Sequence, residues 1–398
     1  YRLTDLPTYR LTDLPTYRLT DLPTYRLTDL PTYRLTDLPT SRLTDLPTYR
    51  LTDLPTYRLT DLPTSMKTTL LILLSIVLLN TDLQAQKLTD RRPVATYSIV
   101  ARDSVTGQLG VAVQSHWFSV GSIVTWAEAG VGAVATQSFI DPAYGPLGLE
   151  MMKAGRSAPD ALAGLLKSDD GREVRQVAMI DAEGRVDAHT GANAIIAAGH
   201  HVGKQYSVQA NLMENDTVWG AMSRAYENAE GDLAERLLKA LEAAEGEGGD
   251  IRGKQSAAIL IVSGDPTGRS WEDRLFDLRV EDHPDPVVEL RRLVKMQRAY
   301  QKLNEGDGWV TLQDFPKALD SYSEALDILP DEATNGEAAF WVGITLMDAG
   351  DMNQALPYLK RAYAQDERWA ALVPRLPAAG LLSAPADQVE QLIKLMQE

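Results

Sequence analysis

The sequence predicts an α+β fold, a four-layer αββα sandwich followed by a small all-α domain. Two observations predict it. Between residues 96 and 281, hairpins rather than single strands alternate with helical stretches. Such blocks favour two antiparallel sheets that face each other with helices outside, rather than a doubly wound parallel sheet. From residue 286 onward, the apolar spacing is that of amphipathic helices.

Residues 1–65 lie outside this predicted fold. Residues 1–64 repeat the octapeptide YRLTDLPT, with one change at Ser41, and Ser65 follows. Repeat proteins usually have units of about 20 to 50 residues, and a proline in every copy disfavours both a helix and a central strand. We interpret the segment as low-complexity sequence, either disordered or translated from a misassigned start.

Residues 66–85 have the pattern of a secretory signal peptide. Met66 and Lys67 form a basic start, Leu70 to Leu79 an apolar run, and Leu83 to Ala85 the cleavage site. The apolar run is shorter than the ~20 residues that span a bilayer. The pattern predicts a start at Met66, a linker of residues 86–95, and a secreted or periplasmic protein without membrane insertion after cleavage.

The composition excludes several classes of function. The chain has no cysteine, so disulfides and thiol catalysis are excluded. Its formal net charge is −16, without a basic stretch. We therefore expect no nucleic-acid partner and no anionic membrane surface as partner.

Residues 96–285 are predicted to form the first domain. TYSIVAR and QLGVAVQS flank the turn-forming stretch DSVTGQ, and a second strand pair turns at Glu128 to Gly132. Ser157 is the predicted N-cap of a helix with Pro159 in its first turn. The remaining predicted elements are helices at 147–154, 157–167, 216–229 and 231–245, a hairpin at VRQVAMIDAEGRVDAHTG, and strands at YSVQAN, QSAAILIV and RLFDLRV.

Several of these segments carry a family resemblance. TYSIVARDSVTGQLGVAVQSHWFSVGS, RQVAMIDAEGRVDAHTG, YSVQANLM and RGKQSAAILIV resemble, in order, the signatures of a bacterial family catalogued as domain of unknown function 1028. The resemblance covers residues 96 to about 300. It implies the architecture of the N-terminal nucleophile (Ntn) hydrolases, but it implies no substrate and no particular catalytic residue.

Thr96 is the candidate nucleophile. An Ntn hydrolase uses a Thr, Ser or Cys at its first position, whose own α-amine activates the hydroxyl or thiol. Small Ala95 before Thr96 suits a cut between them, whereas signal cleavage alone leaves residues 86–95 in place and the amine in a peptide bond. The alternative is an ordinary strand threonine, since Thr is common in strands for packing reasons.

Three further residues are candidates for supporting roles. Asp103 ends the first strand, where it would orient an amine or hydroxyl, or cap the turn. His116 follows a strand end as a cation or general acid, although Trp117 and Phe118 beside it indicate a packed rim. Asn211 would donate to an oxyanion, or order a loop.

No cofactor and no metal are predicted. GVGAVA at residues 130–135 fits a dinucleotide-binding pattern, but it lies in a predicted hairpin rather than at a strand-to-helix turn. His200 and His201 are adjacent and are not spaced to converge on one metal ion.

Residues 286–398 are predicted to form a second domain that resembles tetratricopeptide (TPR) repeats. Small and large residues recur at TPR offsets in two units, Gly306, Ala318, Tyr322, Ala325 and Pro330, then Gly343, Ala355, Leu359 and Ala362. Ala318 and Ala355 are 37 residues apart, against about 34 in a typical TPR. A plain helical bundle is the alternative. Trp341 and Tyr358 are candidate anchors for a peptide or protein partner, or core residues.

Two functions remain open from the sequence. The first is an exported Ntn-type amidohydrolase whose TPR-like segment recruits a partner or substrate. The second is a non-catalytic extracytoplasmic binding or scaffolding protein. Neither hypothesis decides whether the protein is a homo-oligomer.

Overall fold

The computed structural model describes residues 94–398. The predicted octapeptide repeat, the signal peptide and all but the last two residues of the linker lie outside the described residues. The described chain is a mixture of antiparallel sheets and helices with a helical C-terminal region.

Six antiparallel strands form the larger sheet. Its order is β10-β9-β2-β1-β8-β7, in which β1 and β2 form the predicted first hairpin. The bounds are β1 Thr96–Arg102, β2 Leu109–Ser115, β7 Gly199–Gly203, β8 Tyr206–Asn211, β9 Ser256–Val262 and β10 Arg274–Val280. β7 was not predicted, because a short stretch with two glycines and two histidines has little strand propensity; it pairs only with β8 at the sheet edge.

Four antiparallel strands form the smaller sheet, in the order β3-β4-β5-β6. Their bounds are β3 Thr125–Glu128, β4 Gly132–Ser138, β5 Arg175–Asp181 and β6 Val186–Thr190. Both predicted hairpins of this sheet are confirmed, β3 with β4 and β5 with β6. The turn of the second contains Gly184 with φ +81°, a left-handed conformation that favours glycine.

The two sheets face each other across an apolar cluster. Alternate residues of a strand point to opposite faces, so one set from each strand reaches this interface. The cluster joins Val100 of β1 and Val111 of β2 to Ala135 of β4 and Ile180 of β5, all fully buried.

Helices pack against the outer face of each sheet. The remaining helices of the region are α1 Gly121–Val124, α2 Tyr144–Lys153, α3 Ala158–Ser168, α4 Val218–Asn228 and α5 Leu233–Gly246. α2 and α3 share an apolar cluster with β4 and β5, and α4 and α5 share one with β1, β8 and β9. The predicted N-cap Ser157 is confirmed, because its hydroxyl accepts the Asp160 N–H at 3.2 Å.

One long helix joins the sheets to the C-terminal region. This helix, α6 Pro286–Thr311, contributes Leu290 and Val294 to the cluster outside the larger sheet, and Ala299 and Leu303 to a separate helical core. The later helices are α7 Phe315–Ile328, α8 Glu337–Asp348, α9 Met352–Gln365, α10 Arg368–Leu372 and α11 Ala386–Gln397.

The helix pairs of this region repeat one kind of close contact. A Cβ at Gly306 of α6 would lie 2.2 Å from the ring of Tyr322 on α7, and one at Gly343 of α8 would lie 2.4 Å from Cγ of Leu359 on α9. Glycine at both positions therefore lets the paired helices approach. Of the helices in residues 94–398, none is long and apolar enough to cross a membrane.

Candidate functional site

The space between the sheets becomes polar near the start of β1. Thr96, Gln137, Gln176, Gln209 and Asn211 are all fully buried there. Thr96, Gln137 and Gln176 lie on strand faces that otherwise carry the apolar inter-sheet cluster. Gln209 and Asn211 lie on the face of β8 opposite to its residues in the outer apolar cluster. Burial of so many polar groups is costly unless they are hydrogen-bonded to one another.

Gln176 lies at the centre of the resulting hydrogen-bond network. Its Oε1 accepts from Nε2 of Gln137 at 2.7 Å and from Nδ2 of Asn211 at 3.0 Å. Its own Nε2 donates to Oγ1 of Thr190 at 2.9 Å and to the carbonyl oxygen of Ala210 at 2.9 Å. These bonds connect the two sheets, so the network fixes the position of the side chains around Thr96.

Thr96 is held from two sides. Its carbonyl oxygen accepts from Nε2 of Gln137 at 3.2 Å and from Nδ2 of Asn211 at 3.4 Å. Its hydroxyl donates to the carbonyl oxygen of Val94 at 2.7 Å. Val94 and Ala95 are themselves fully buried, so the Thr96 hydroxyl is enclosed and the α-nitrogen lies in a peptide bond.

The carbonyl group before Thr96 has two strong donors. The Ala95 oxygen accepts from the Ser115 hydroxyl and from Nη2 of Arg252, the latter at 3.1 Å. The same Nη2 lies 2.8 Å from Oδ2 of Asp250, and Nε lies 3.1 Å from Oδ1. A hydroxyl and a cation directed at one carbonyl draw electron density towards its oxygen, as oxyanion-stabilising donors do.

The buried Asp250 carboxylate orients this guanidinium. Its side chain is 0% exposed, and Oδ2 also accepts the backbone N–H of His116 at 3.0 Å. Because two of its contacts reach one planar guanidinium, the pair is bidentate and fixes the direction of Arg252.

Three of the seven non-glycine residues with positive φ in residues 94–398 lie at the same end of the sheets. Ser138, Ala197 and Leu212 have φ values of 70°, 53° and 57°, in the left-handed region that L-residues other than Asn and Asp rarely adopt. Ser138 pairs with Val94, and Leu212 follows Asn211. Residues held in such conformations cluster at functional sites, where the surrounding structure keeps them in place.

Several buried polar atoms at this end have no hydrogen-bond partner among the described residues, and two of them belong to residues next to Thr96 or Val94 in the sheets. These two atoms are Oγ of Ser138 and Oδ1 of Asn211. Most buried polar atoms in folded proteins are paired. Together with the strained backbone, they indicate a site shaped for something other than maximal stability.

The structure does not bring Asp103 to this site. Asp103 follows β1 at the end opposite to Thr96, and the length of the strand separates the two by roughly 20 Å. Its Oδ1 accepts from the N–H groups of Val105 and Thr106, at 2.9 and 2.8 Å. Burial acts to raise the pKa of Asp103, but these hydrogen bonds and nearby Arg236 lower it overall. Asp103 therefore caps the turn.

Of the other two candidate residues, Asn211 lies at the site and the His116 side chain does not. Asn211 lies in the network, but its Nδ2 is directed at the carbonyl of Thr96 itself and at Gln176. The His116 side chain is exposed, and only its backbone N–H reaches Asp250. The candidate site therefore unites Thr96 and Asn211 and leaves the His116 imidazole outside.

Five residues of the site were not predicted from the sequence, namely Ser115, Gln137, Gln176, Asp250 and Arg252. Gln137 and Gln176 had a usable signal, because each interrupts the inward-facing apolar positions of its strand. Asp250 and Arg252 lie in a loop that follows α5, and no sequence spacing indicates their approach to Ala95.

A histidine lies at the far end of the network. Thr190 Oγ1 and Nδ1 of His200 are 2.8 Å apart, and burial lowers the pKa of His200. Within residues 94–398, no group of three His, Asp or Glu side chains is placed to hold a metal ion.

Fold and site together define a mixed α/β domain of two facing antiparallel sheets, with a buried polar site at the start of β1. Residues 96–290 match the model of a family of unknown function, DUF1028, so the resemblance inferred from the sequence is confirmed over this range. Solved structures that match include a Silicibacter pomeroyi protein of that family, 29% identical, covering 51% of this chain and 88% of its own, with a TM-score of 0.46. No curated protein matches the chain.

Proposed function

We propose that the protein is an Ntn-type amide hydrolase with Thr96 as its nucleophile, released by a cut between Ala95 and Thr96. One observation carries this proposal. The carbonyl of the bond to be cut accepts from both the Ser115 hydroxyl and the Arg252 guanidinium. A buried carbonyl polarised next to a threonine hydroxyl is the arrangement that acyl transfer to that hydroxyl requires.

The arrangement of layers supports the same class. Two facing sheets with helices on both outer faces correspond to the αββα sandwich of Ntn hydrolases, in which the nucleophile begins a central strand. Thr96 is the first residue of β1, a central strand of the larger sheet.

Each site residue then has a distinct role. Once the bond is cut, the Thr96 α-amine acts as the base for its own hydroxyl. Ser115 and Arg252 stabilise the oxyanion, because they already hold the carbonyl oxygen at this position. Asp250 orients Arg252, and Asn211 positions the Thr96 backbone rather than an oxyanion.

We further propose that the protein is exported and that its C-terminal helices act as TPR-like units. The repeated glycine contacts of Gly306 with Tyr322 and of Gly343 with Leu359 support this. Trp341 and Tyr358 pack partly buried against the helical core, so the exposed part of their rings remains for a peptide or protein partner.

A non-catalytic binding protein is the second candidate. It is favoured by the enclosure of Thr96, whose hydroxyl bonds to Val94 while Val94 and Ala95 are both buried. In this alternative, the polar network serves to join the two sheets.

The state of the Ala95–Thr96 bond distinguishes the candidates. The chain is produced from Met66 in an exporting host, and its intact mass and N-terminal sequence are measured for wild type, Thr96→Ser and Thr96→Ala. We expect chains that begin at residue 96 in the first two and none in the third. Thr136→Ala is the matched control, because that buried hydroxyl bonds to the carbonyl oxygen of Asp141 at 3.0 Å, away from the bond.

An uncut wild-type chain in every preparation would favour the binding protein. Cutting that persists in Thr96→Ala would assign the cut to another protease. In that case hydrolysis of amides by the trimmed Thr96→Ala protein, compared with wild type, tests the nucleophile directly.

A further inference from the structure

We propose that Val94 and Ala95 occupy the acyl subsite of the enzyme, so that its substrates are L-peptides cleaved after alanine preceded by an aliphatic residue. This inference rests on the proposed function and adds the substrate class to it. The subsite is visible because the chain itself fills it.

The chemistry of the cut makes the acyl group that ends at Ala95 equivalent to the acyl group of an amide substrate. The Thr96 hydroxyl oxygen bonds to the Ala95 carbonyl carbon, the Ala95–Thr96 C–N bond breaks, and the hydroxyl proton passes to the Thr96 nitrogen. The product is an ester between Ala95 and the Thr96 side chain, which water hydrolyses to a carboxylate and the free hydroxyl. An amide substrate forms the same ester, with its own acyl part on Thr96. Whatever surrounds Val94 and Ala95 therefore surrounds the substrate acyl group.

The backbone contacts of Val94 indicate that the occupant of the acyl subsite is a peptide. The N–H of Val94 donates to the Ser138 carbonyl oxygen at 2.7 Å, and the Ser138 N–H donates to the Val94 carbonyl oxygen at 3.1 Å. Departure of the segment leaves both groups of Ser138 ready to pair with another extended chain, as in strand addition at a sheet edge. The left-handed φ of Ser138 directs this pair at the end of β4.

The side chains of the segment set the residue preference. Val94 is part of the apolar cluster between the sheets, with Val120 and Ile140, so the second acyl position favours an aliphatic residue. The Ala95 methyl is fully buried, so a larger side chain would have to displace packed atoms. Overpacking of this kind is destabilising.

Hydrolysis by the cut protein tests the preference. The probes are acetyl-Val-Ala, acetyl-Val-Phe, acetyl-Asp-Ala and acetyl-Val-D-Ala, each joined to a fluorogenic aminocoumarin. We expect kcat/KM for acetyl-Val-Ala to exceed that for the Phe and Asp probes by about tenfold or more, with no turnover of the D-Ala probe. Equal or faster turnover of the Phe or Asp probe overturns the inference.

A second measurement does not depend on the leaving group. The product acids acetyl-Val-Ala and acetyl-Val-Phe are added to the cut protein, and its thermal midpoint is recorded. A rise with the Ala acid alone is expected, and an equal rise with both overturns the preference.

The two proposals fail differently. A chain that cuts itself and hydrolyses other amides, but not acetyl-Val-Ala, keeps the proposed function and overturns the subsite. A chain that neither cuts itself nor hydrolyses any amide overturns both.

Discussion

Replacement of Ser115 by alanine probes the step on which the proposed function depends. The Ser115 hydroxyl is fully buried and donates to the Ala95 carbonyl oxygen. In the variant, Arg252 at 3.1 Å is the remaining side-chain donor to that oxygen among the contacts described above. Loss of one oxyanion donor lowers a rate by about 100- to 1,000-fold, or about 2.7–4 kcal/mol of transition-state stabilisation. The loss in folding free energy is only about 1 kcal/mol.

The assay is the rate of the Ala95–Thr96 cut, followed by intact mass after cell-free synthesis of the chain. Ser207→Ala is the matched control, because this buried hydroxyl donates to Oε1 of Gln209 at 3.1 Å and does not bond to Ala95. We expect Ser115→Ala to slow the cut at least about 100-fold and Ser207→Ala to leave it unchanged. A wild-type rate in Ser115→Ala, or equal slowing in both variants, refutes the oxyanion role.

The other predictions concern stability and use urea unfolding. Gly306→Ala places a Cβ 2.2 Å from the Tyr322 ring and should lower the free energy of unfolding by about 1–3 kcal/mol. Gly308→Ala lies on the same helix, where a Cβ would meet no described atom within 4 Å beyond the local backbone of that helix, and it should raise the free energy of unfolding by about 0.5–1 kcal/mol. Equal effects of the two substitutions would contradict the close contact. Tyr226→Phe should be neutral or stabilising, because the buried Tyr226 hydroxyl has no hydrogen-bond partner within residues 94–398. Tyr206→Phe loses hydrogen bonds to Ser223 and Glu227, at 2.8 Å each, and should lower the free energy of unfolding by about 1–2 kcal/mol. Burial raises the pKa of Tyr226 from 10.0 to about 12, so the Tyr226 hydroxyl of the unfolded chain deprotonates at lower pH than that of the folded chain. The free energy of unfolding should therefore fall between these two pH values by up to about 1.4 kcal/mol per pH unit. Tyr226→Phe should remove this part of the decline.

Much of the local structure was predictable because it depends on short-range patterns. Strand alternation and turn residues predicted the hairpins of β1 with β2 and β5 with β6, which are confirmed. Ser157 predicted the start of α3. β7 was missed because its pairing with β8 compensates for poor strand propensity, and a tertiary contact of this kind leaves no local signal.

The sequence by itself placed Thr96 at the start of the first strand and a small residue before it, since both depend only on neighbours in the chain. It left two roles open for Asp103, at the site or as a cap of the turn. Asp103 follows the same strand but lies at its other end, because a strand carries successive residues steadily away from one another.

Only the tertiary structure decided which groups meet the Ala95 carbonyl. Ser115 reaches it because β2 returns antiparallel to β1, and Arg252 reaches it from 157 residues away along the chain. The buried amides of Gln137 and Gln176 come together because two sheets pack face to face. Sheet pairing and sheet packing join residues that are distant in sequence, so the polar site forms only when the whole domain folds.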